Sequence, residues 1–171
     1  MPAAASKAGL IAVETGGWRF AGWGSGRITA GLTDRGTSVA SLLRALGDPR
    51  TAEAEQVHGA SLAILGAAPG ASRMIAGCDA LITGLAEVAL LVRSADCLPI
   101  FFADPSRGVV GLAHAGWRGL ASSLPARMVS AFRDGYHVRA EELYVAIGPA
   151  IHACCYEVGP DVSERFGRFV Q

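Results

Sequence analysis

The sequence predicts an α+β domain built in layers, and three observations predict it. Short apolar runs, several rich in β-branched residues and each bounded by Gly, Pro or Asp, crowd the middle of the chain. Segments whose apolar residues recur at helical intervals flank those runs. The chain is 171 residues long with 51% apolar residues, near the usual size of one domain and rich enough to bury a real core.

The start, Pro2 to Ala8, is Ala-rich and reads as a frayed end. Thr37 to Leu46 spaces Val39, Leu42, Leu43 and Leu46 as one helical face, with Thr37 or Ser38 to cap its start and Gly47 and Pro49 to end it. Strands are expected at Ser61–Leu65, Ala80–Thr83, Val88–Val92, Ile100–Ala103 and Val109–Ala113. Gly84 to Glu87 should turn the second of these into the third as a hairpin. Asp104-Pro105-Ser106-Arg107-Gly108 should turn the fourth into the fifth. A helix should follow Gly119, with Leu120, Leu124, Met128, Val129 and Phe132 inward, Pro125 in its first turn and Ser122 or Ser123 as its N-cap. Leu143 to Ile147 reads as a further strand and Asp161 to Val170 as a last short helix. Much of the strand pairing should therefore be antiparallel.

Charge excludes several functions. Lys+Arg and Asp+Glu number 15 each, so the formal net charge is zero and there is no electrostatic case for a nucleic-acid or anionic-membrane partner. No apolar run approaches the ~20 residues of a membrane helix. The apolar stretch Gly9 to Val13 stops at Glu14, short of a secretory core. The expectation is a cytoplasmic protein with reduced thiols, in which Cys78, Cys97, Cys154 and Cys155 favour metal or thiol chemistry over a disulfide framework. Adjacent Cys154 and Cys155 are expected as buried core thiols.

Three residues with ligating side chains fall where strands end: His58 in Gln56-Val57-His58-Gly59, Cys97 in Ser94-Ala95-Asp96-Cys97-Leu98-Pro99, and His114 in Ala113-His114-Ala115-Gly116-Trp117-Arg118-Gly119. Strand ends converge in space even when distant in sequence. One thiolate and two imidazoles suit Zn²⁺ and leave a fourth position open, the arrangement of a catalytic site. Their spacing matches no local zinc signature. The alternative is an ordinary buried cysteine and two histidines bonded to backbone.

These segments, together with Asp79-Ala80-Leu81-Ile82-Thr83 and Cys154-Cys155-Tyr156-Glu157-Val158-Gly159, occur in an order that resembles the YfiH-like family, long labelled polyphenol-oxidase or laccase-domain proteins and now described as purine nucleoside phosphorylases. The resemblance runs from about Gln56 to Val162. It implies a layered α/β/β/α arrangement with mixed, largely antiparallel sheets, similar to the catalytic domain of cytotoxic necrotizing factors. It implies a zinc site at His58, Cys97 and His114. It also implies phosphorolysis of adenosine, inosine, guanosine and methylthioadenosine, with deamination of adenosine, so that purine nucleosides and inorganic phosphate are the expected partners.

Around that site, Asp96 is a candidate to orient a ligand or move protons, against an ordinary strand-end carboxylate. Arg118 is a candidate phosphate holder, against a solvated surface arginine. Trp117 is expected as a packing anchor, His137 as a surface loop residue, and Tyr156 and Glu157 as site lining or a turn. His152 and Ala153 stand where family members carry glycine and proline. Arg19 to Leu46 lacks a clear match to the family's opening. Read as one domain over residues 1–171, the chain stops short of the usual C-terminal helix and strands, as a short variant or a piece, which would expose a sheet edge.

Two other functions compete. Cys97, activated by His114 or His58, would make a thiol amidohydrolase acting on peptidoglycan precursors. A shortened relative that keeps the fold would be a binding module without catalysis. The laccase label fails on arithmetic, because four histidines with no His-x-His pair do not build a trinuclear copper cluster.

Overall fold

In a computed structural model, residues 10–12, 18–20, 28–33 and 36–167 are described. The chain runs through β1 (Leu10–Ala12), β2 (Trp18–Phe20), β3 (Gly31–Leu32), α1 (Val39–Ala45), β4 (Arg50–Ala54), β5 (Leu62–Leu65) and β6 (Arg73–Ile75). It continues through β7 (Ala80–Thr83), β8 (Val88–Leu91), β9 (Leu98–Asp104), β10 (Val109–Ala115), α2 (Trp117–Ala121), α3 (Leu124–Tyr136), β11 (Tyr144–Ile147) and α4 (Pro160–Phe166).

The central sheet has the order β11-β9-β10-β7-β5, antiparallel except for the parallel β5–β7 pair. A second sheet, β6-β4-β8, is parallel throughout, and β1-β2-β3 form an antiparallel ribbon. The fold is thus α+β with mixed sheets, most pairs antiparallel, as the sequence led one to expect.

The two sheets stack because β7 and β9 present apolar side chains on both faces. Ile82, Ile100 and Phe102 turn toward α3, where Leu124, Met128 and Phe132 are wholly buried. Leu81 turns the other way, joining Ala52, Ala54, Leu65 and Cys78 between the sheets. Burying each large side chain in the α3 layer contributes about 1.5–3 kcal/mol. Gly111 in β10 permits this packing, since a Cβ there would fall 2.8 Å from Phe132 and 2.9 Å from Met128.

The β9–β10 hairpin forms as expected, with Val109 opposite Asp104 and Ala115 opposite Leu98. Its turn is closed by buried Asp104, whose Oδ1 accepts from the Ser106 amide at 2.8 Å and the Ser106 hydroxyl at 2.6 Å, while Oδ2 accepts from Arg107 at 2.7 Å.

The expected hairpin between Ala80–Thr83 and Val88–Val92 does not form. Both edges of β7 are already taken, by β10 and β5, so the chain after Thr83 crosses to the second sheet and β8 pairs in parallel with β4. Glu87 makes the crossing with φ +59°, and its carbonyl accepts from the Arg50 amide at 3.1 Å.

Helix α1 follows its capping signals: Ser38 Oγ accepts from the Ser41 amide at 3.1 Å, and Gly47 ends the run with φ +83°. Ser123 occupies the N-cap position of α3, but in a left-handed conformation without a side-chain cap bond. The preceding α2 brings the chain into α3 through that residue, and Pro125 fits the first turn. The last helix spans Pro160–Phe166, and residues 168–170 of the expected run lie outside the described residues. So do the Ala-rich start and most of the segment ahead of Ile28.

Candidate metal centre

His58 follows β4, Cys97 precedes β9, and His114 lies near the end of β10. The β9–β10 pairing brings Cys97 and His114 to one end of the central sheet, and Asp79, just ahead of β7, holds the His58 loop there through the His58 and Gly59 amides. One ligand atom from each of the three lies within 4.8 Å of the others. The two imidazole rings stand edge to face, centroids 4.8 Å apart and planes 88° apart. His114 is buried, Cys97 half-buried and His58 exposed, which gives the cluster one dry wall and one open side.

The arrangement is held by a residue absent from the sequence-based site, Asp79. Its fully buried carboxylate accepts from the His58 amide at 2.9 Å and the Gly59 amide at 2.7 Å, and lies 3.0 Å from His114 Nδ1. An imidazole donating from Nδ1 carries its lone pair on Nε2, the tautomer a metal ligand needs. The Asp79 carbonyl also accepts from the His114 amide at 2.8 Å. A signal was present in the sequence: Asp79 is a lone acid set directly against the apolar run Ala80-Leu81-Ile82, where burial demands several hydrogen bonds.

Gln56 supplies a second fixture. Its side-chain amide donates to the Arg93 carbonyl at 2.6 Å and accepts from the Arg93 amide at 2.7 Å, joining the His58 loop to the segment that leads to Cys97. Gln56 and His58 both have left-handed backbones, φ +65° and +58°, a conformation costing about 1–2 kcal/mol per residue. The bonds to Asp79 and Arg93, with the Gln56 amide donating to the Cys78 carbonyl at 2.9 Å, hold them there. The Ser94 hydroxyl donates to the Cys97 carbonyl.

Two glycines allow the close approach. A Cβ on Gly116 would meet Cys97 Sγ at 3.2 Å and His58 Cδ2 at 3.4 Å. One on Gly119 would fall 2.7 Å from the Gly59 carbonyl oxygen, so α2 lies directly on the His58 loop.

Burial, then the carboxylates of Asp96 and Asp79, push the Cys97 thiol up. A divalent cation would reverse this balance. The donor set fits one: a thiol and two imidazoles would hold the ion, with the buried Asp79 carboxylate behind His114 to orient that ring.

Asp96 is exposed beside Cys97, and its carbonyl accepts from the Ile151 amide at 3.0 Å. Arg118 is exposed on α2 with its guanidinium 4.2 Å from the Trp117 ring centroid, and half-buried Trp117 acts as its platform. His137 is exposed and ends α3 in a left-handed conformation. Cys154 and Cys155 are not core thiols: both are exposed, in a turn where the His152 carbonyl accepts from the Cys155 and Tyr156 amides. Every residue from His152 to Pro160 is exposed.

The family description multi-copper polyphenol oxidoreductase laccase matches residues 23–171. With this match over most of its length, the chain belongs to the YfiH-like family that carries that description. Among its relatives, purine nucleoside phosphorylase YlmD of Geobacillus stearothermophilus is 44% identical over 110 residues, covering 61% of this chain and 40% of the relative. Adenosine deaminase RL5, from an unknown prokaryotic organism, is 40% identical over 91 residues, covering 53% of this chain and 34% of the relative. The crystal structure of YlmD from G. stearothermophilus superposes with a TM-score of 0.76 at 32% identity, covering 95% of this chain and 72% of that one. The matched regions therefore span less than half the length of these two sequence relatives.

Proposed function

We propose that His58, Cys97 and His114 hold a zinc ion and that the protein acts on purine nucleosides, by phosphorolysis and by deamination of adenosine. The observation that carries this reading is the convergence of the three ligand atoms within 4.8 Å, with Asp79 bonded behind His114. The relatives named purine nucleoside phosphorylase and adenosine deaminase support the substrate class. Zinc with three protein ligands supplies a Lewis acid and a source of hydroxide at neutral pH.

The chain's own residues supply the rest. Asp79 fixes the His114 tautomer and the path of the His58 loop, so the ligands are in place before substrate arrives. Arg118, exposed two residues after Gly116, offers a planar pair of donors to inorganic phosphate. In phosphorolysis a phosphate oxygen forms the new bond to the anomeric carbon as the bond to the purine nitrogen breaks, and the purine leaves protonated. Asp96, beside Cys97 on the open side, is the candidate to carry that proton.

The test is turnover of adenosine and inosine by the metal-stripped chain, before and after addition of zinc, with inosine and free base separated by chromatography. Zinc should restore both activities. His58→Ala, Cys97→Ala and His114→Ala should each abolish that restoration, and zinc-independent turnover contradicts the reading.

A further inference from the structure

The vicinal thiols are left over from this account. Cys154 Sγ lies 3.2 Å from Cys155 Sγ, and both residues are exposed. The turn that presents them is closed by the His152 carbonyl, which accepts from the Cys155 and Tyr156 amides, each at 3.0 Å. The segment leading into it is pinned to the sheet, since the Gly148 amide donates to the Pro99 carbonyl at 2.9 Å and the Ile151 amide to the Asp96 carbonyl at 3.0 Å. The two sulfurs are thus a preorganised pair on an anchored loop. Neither other cysteine offers a partner of this kind: Cys78 is buried, and Cys97 stands between two imidazoles.

Geometry decides what such a pair takes. Adjacent residues hold their Cα atoms ~3.8 Å apart, below the ~4.4–6.8 Å usual for a disulfide, so a direct bond would close a strained ring. A bridging atom avoids that closure. Sulfurs 3.2 Å apart, each bound at ~2.3 Å, subtend about 90° at the bridging atom. That is well short of the tetrahedral angle of zinc and suits a pyramidal trivalent centre that carries a lone pair. The hydrogen bond with Cys154 pushes the Cys155 thiol up.

We propose that Cys154 and Cys155 form a chelating site for thiophilic trivalent centres of the arsenic(III) class, separate from the His58–Cys97–His114 cluster. With an organoarsenic oxide the balance is simple. Two arsenic–sulfur bonds form, the two thiol protons pass to the arsenic-bound oxygen, that oxygen leaves as water, and arsenic stays trivalent.

The experiment is intact-mass analysis of the full chain after one equivalent of phenylarsine oxide. One adduct per chain should form, survive a large excess of a monothiol and be stripped by a small dithiol. C154S and C155S should each lose the monothiol-resistant adduct, whereas C97S should keep it. An adduct that a monothiol removes from the unsubstituted chain overturns the proposal. So does one that persists in C154S or C155S, or one that is lost in C97S.

Discussion

The Asp79 carboxylate and the His114 imidazole lie 3.0 Å apart in the interior, and the same carboxylate receives the backbone amides of His58 and Gly59. One buried acid thus sets the ring of one candidate ligand and the chain path of another. Replacing Asp79 by Asn keeps the shape but reverses part of the hydrogen-bond pattern. Zinc affinity should fall about 10–100-fold, as measured by competition with a chromophoric chelator. An unchanged affinity would reduce Asp79 to a structural residue.

Gly116 can be tested without touching a ligand. The Cβ of a Gly116→Ala variant would stand 3.2 Å from Cys97 Sγ and 3.4 Å from His58, tighter than ordinary contact. The variant should bind zinc several-fold more weakly, while the melting temperature of the metal-free protein changes little. Comparable losses in both would show that the crowding acts on the fold rather than on the site.

Arg118→Ala should lower phosphorolysis more than deamination, because only the first reaction uses phosphate. The informative quantity is the apparent KM for phosphate with inosine, which should rise on the order of tenfold or more, as expected for the loss of a charge-assisted contact worth about 1.5–3 kcal/mol. Equal losses in the two reactions would remove Arg118 from the phosphate site.

A stability prediction concerns the β9–β10 turn. Burial alone would raise the Asp104 carboxyl, but the bonds from Ser106 and Arg107 outweigh it and hold the group below the ordinary carboxylate range. A carboxyl lowered in the folded state stabilises above the unfolded value near ~3.9, and that contribution is lost as pH falls through the lower folded value. Asp104→Asn should therefore cost about 1–3 kcal/mol at pH 7 in denaturant unfolding, and the gap to the parent should narrow below about pH 4. A gap independent of pH would assign the loss to packing.

Most elements were legible because their signals are local. The Ser38 cap, the Asp104–Gly108 turn and the Leu124, Met128, Phe132 spacing each act within a few residues. Partner choice between strands is not local: proximity in sequence pairs Val88–Val92 with Ala80–Thr83, whereas β7 has both edges occupied by β5 and β10 and β8 pairs with β4. The short strands β4 and β6 were missed, since Arg50–Ala54 carries Arg and Glu and alternates weakly. His58, Cys97 and His114 were singled out by residue type at strand ends and by family resemblance, and the structure brings them together. Asp79 escaped because its role lies in hydrogen bonds to residues about 20 and 35 positions away. The general tendency of cysteine to be buried places Cys154 and Cys155 in the core, whereas both are exposed in the turn after β11.

X-ray absorption at the zinc edge of the chain loaded with one equivalent of zinc tests the central claim most directly. The account predicts a first shell with one sulfur at ~2.3 Å and two imidazole nitrogens at ~2.0–2.1 Å, the remaining position filled by a light atom. A shell with two sulfurs, or one with no sulfur, would contradict it.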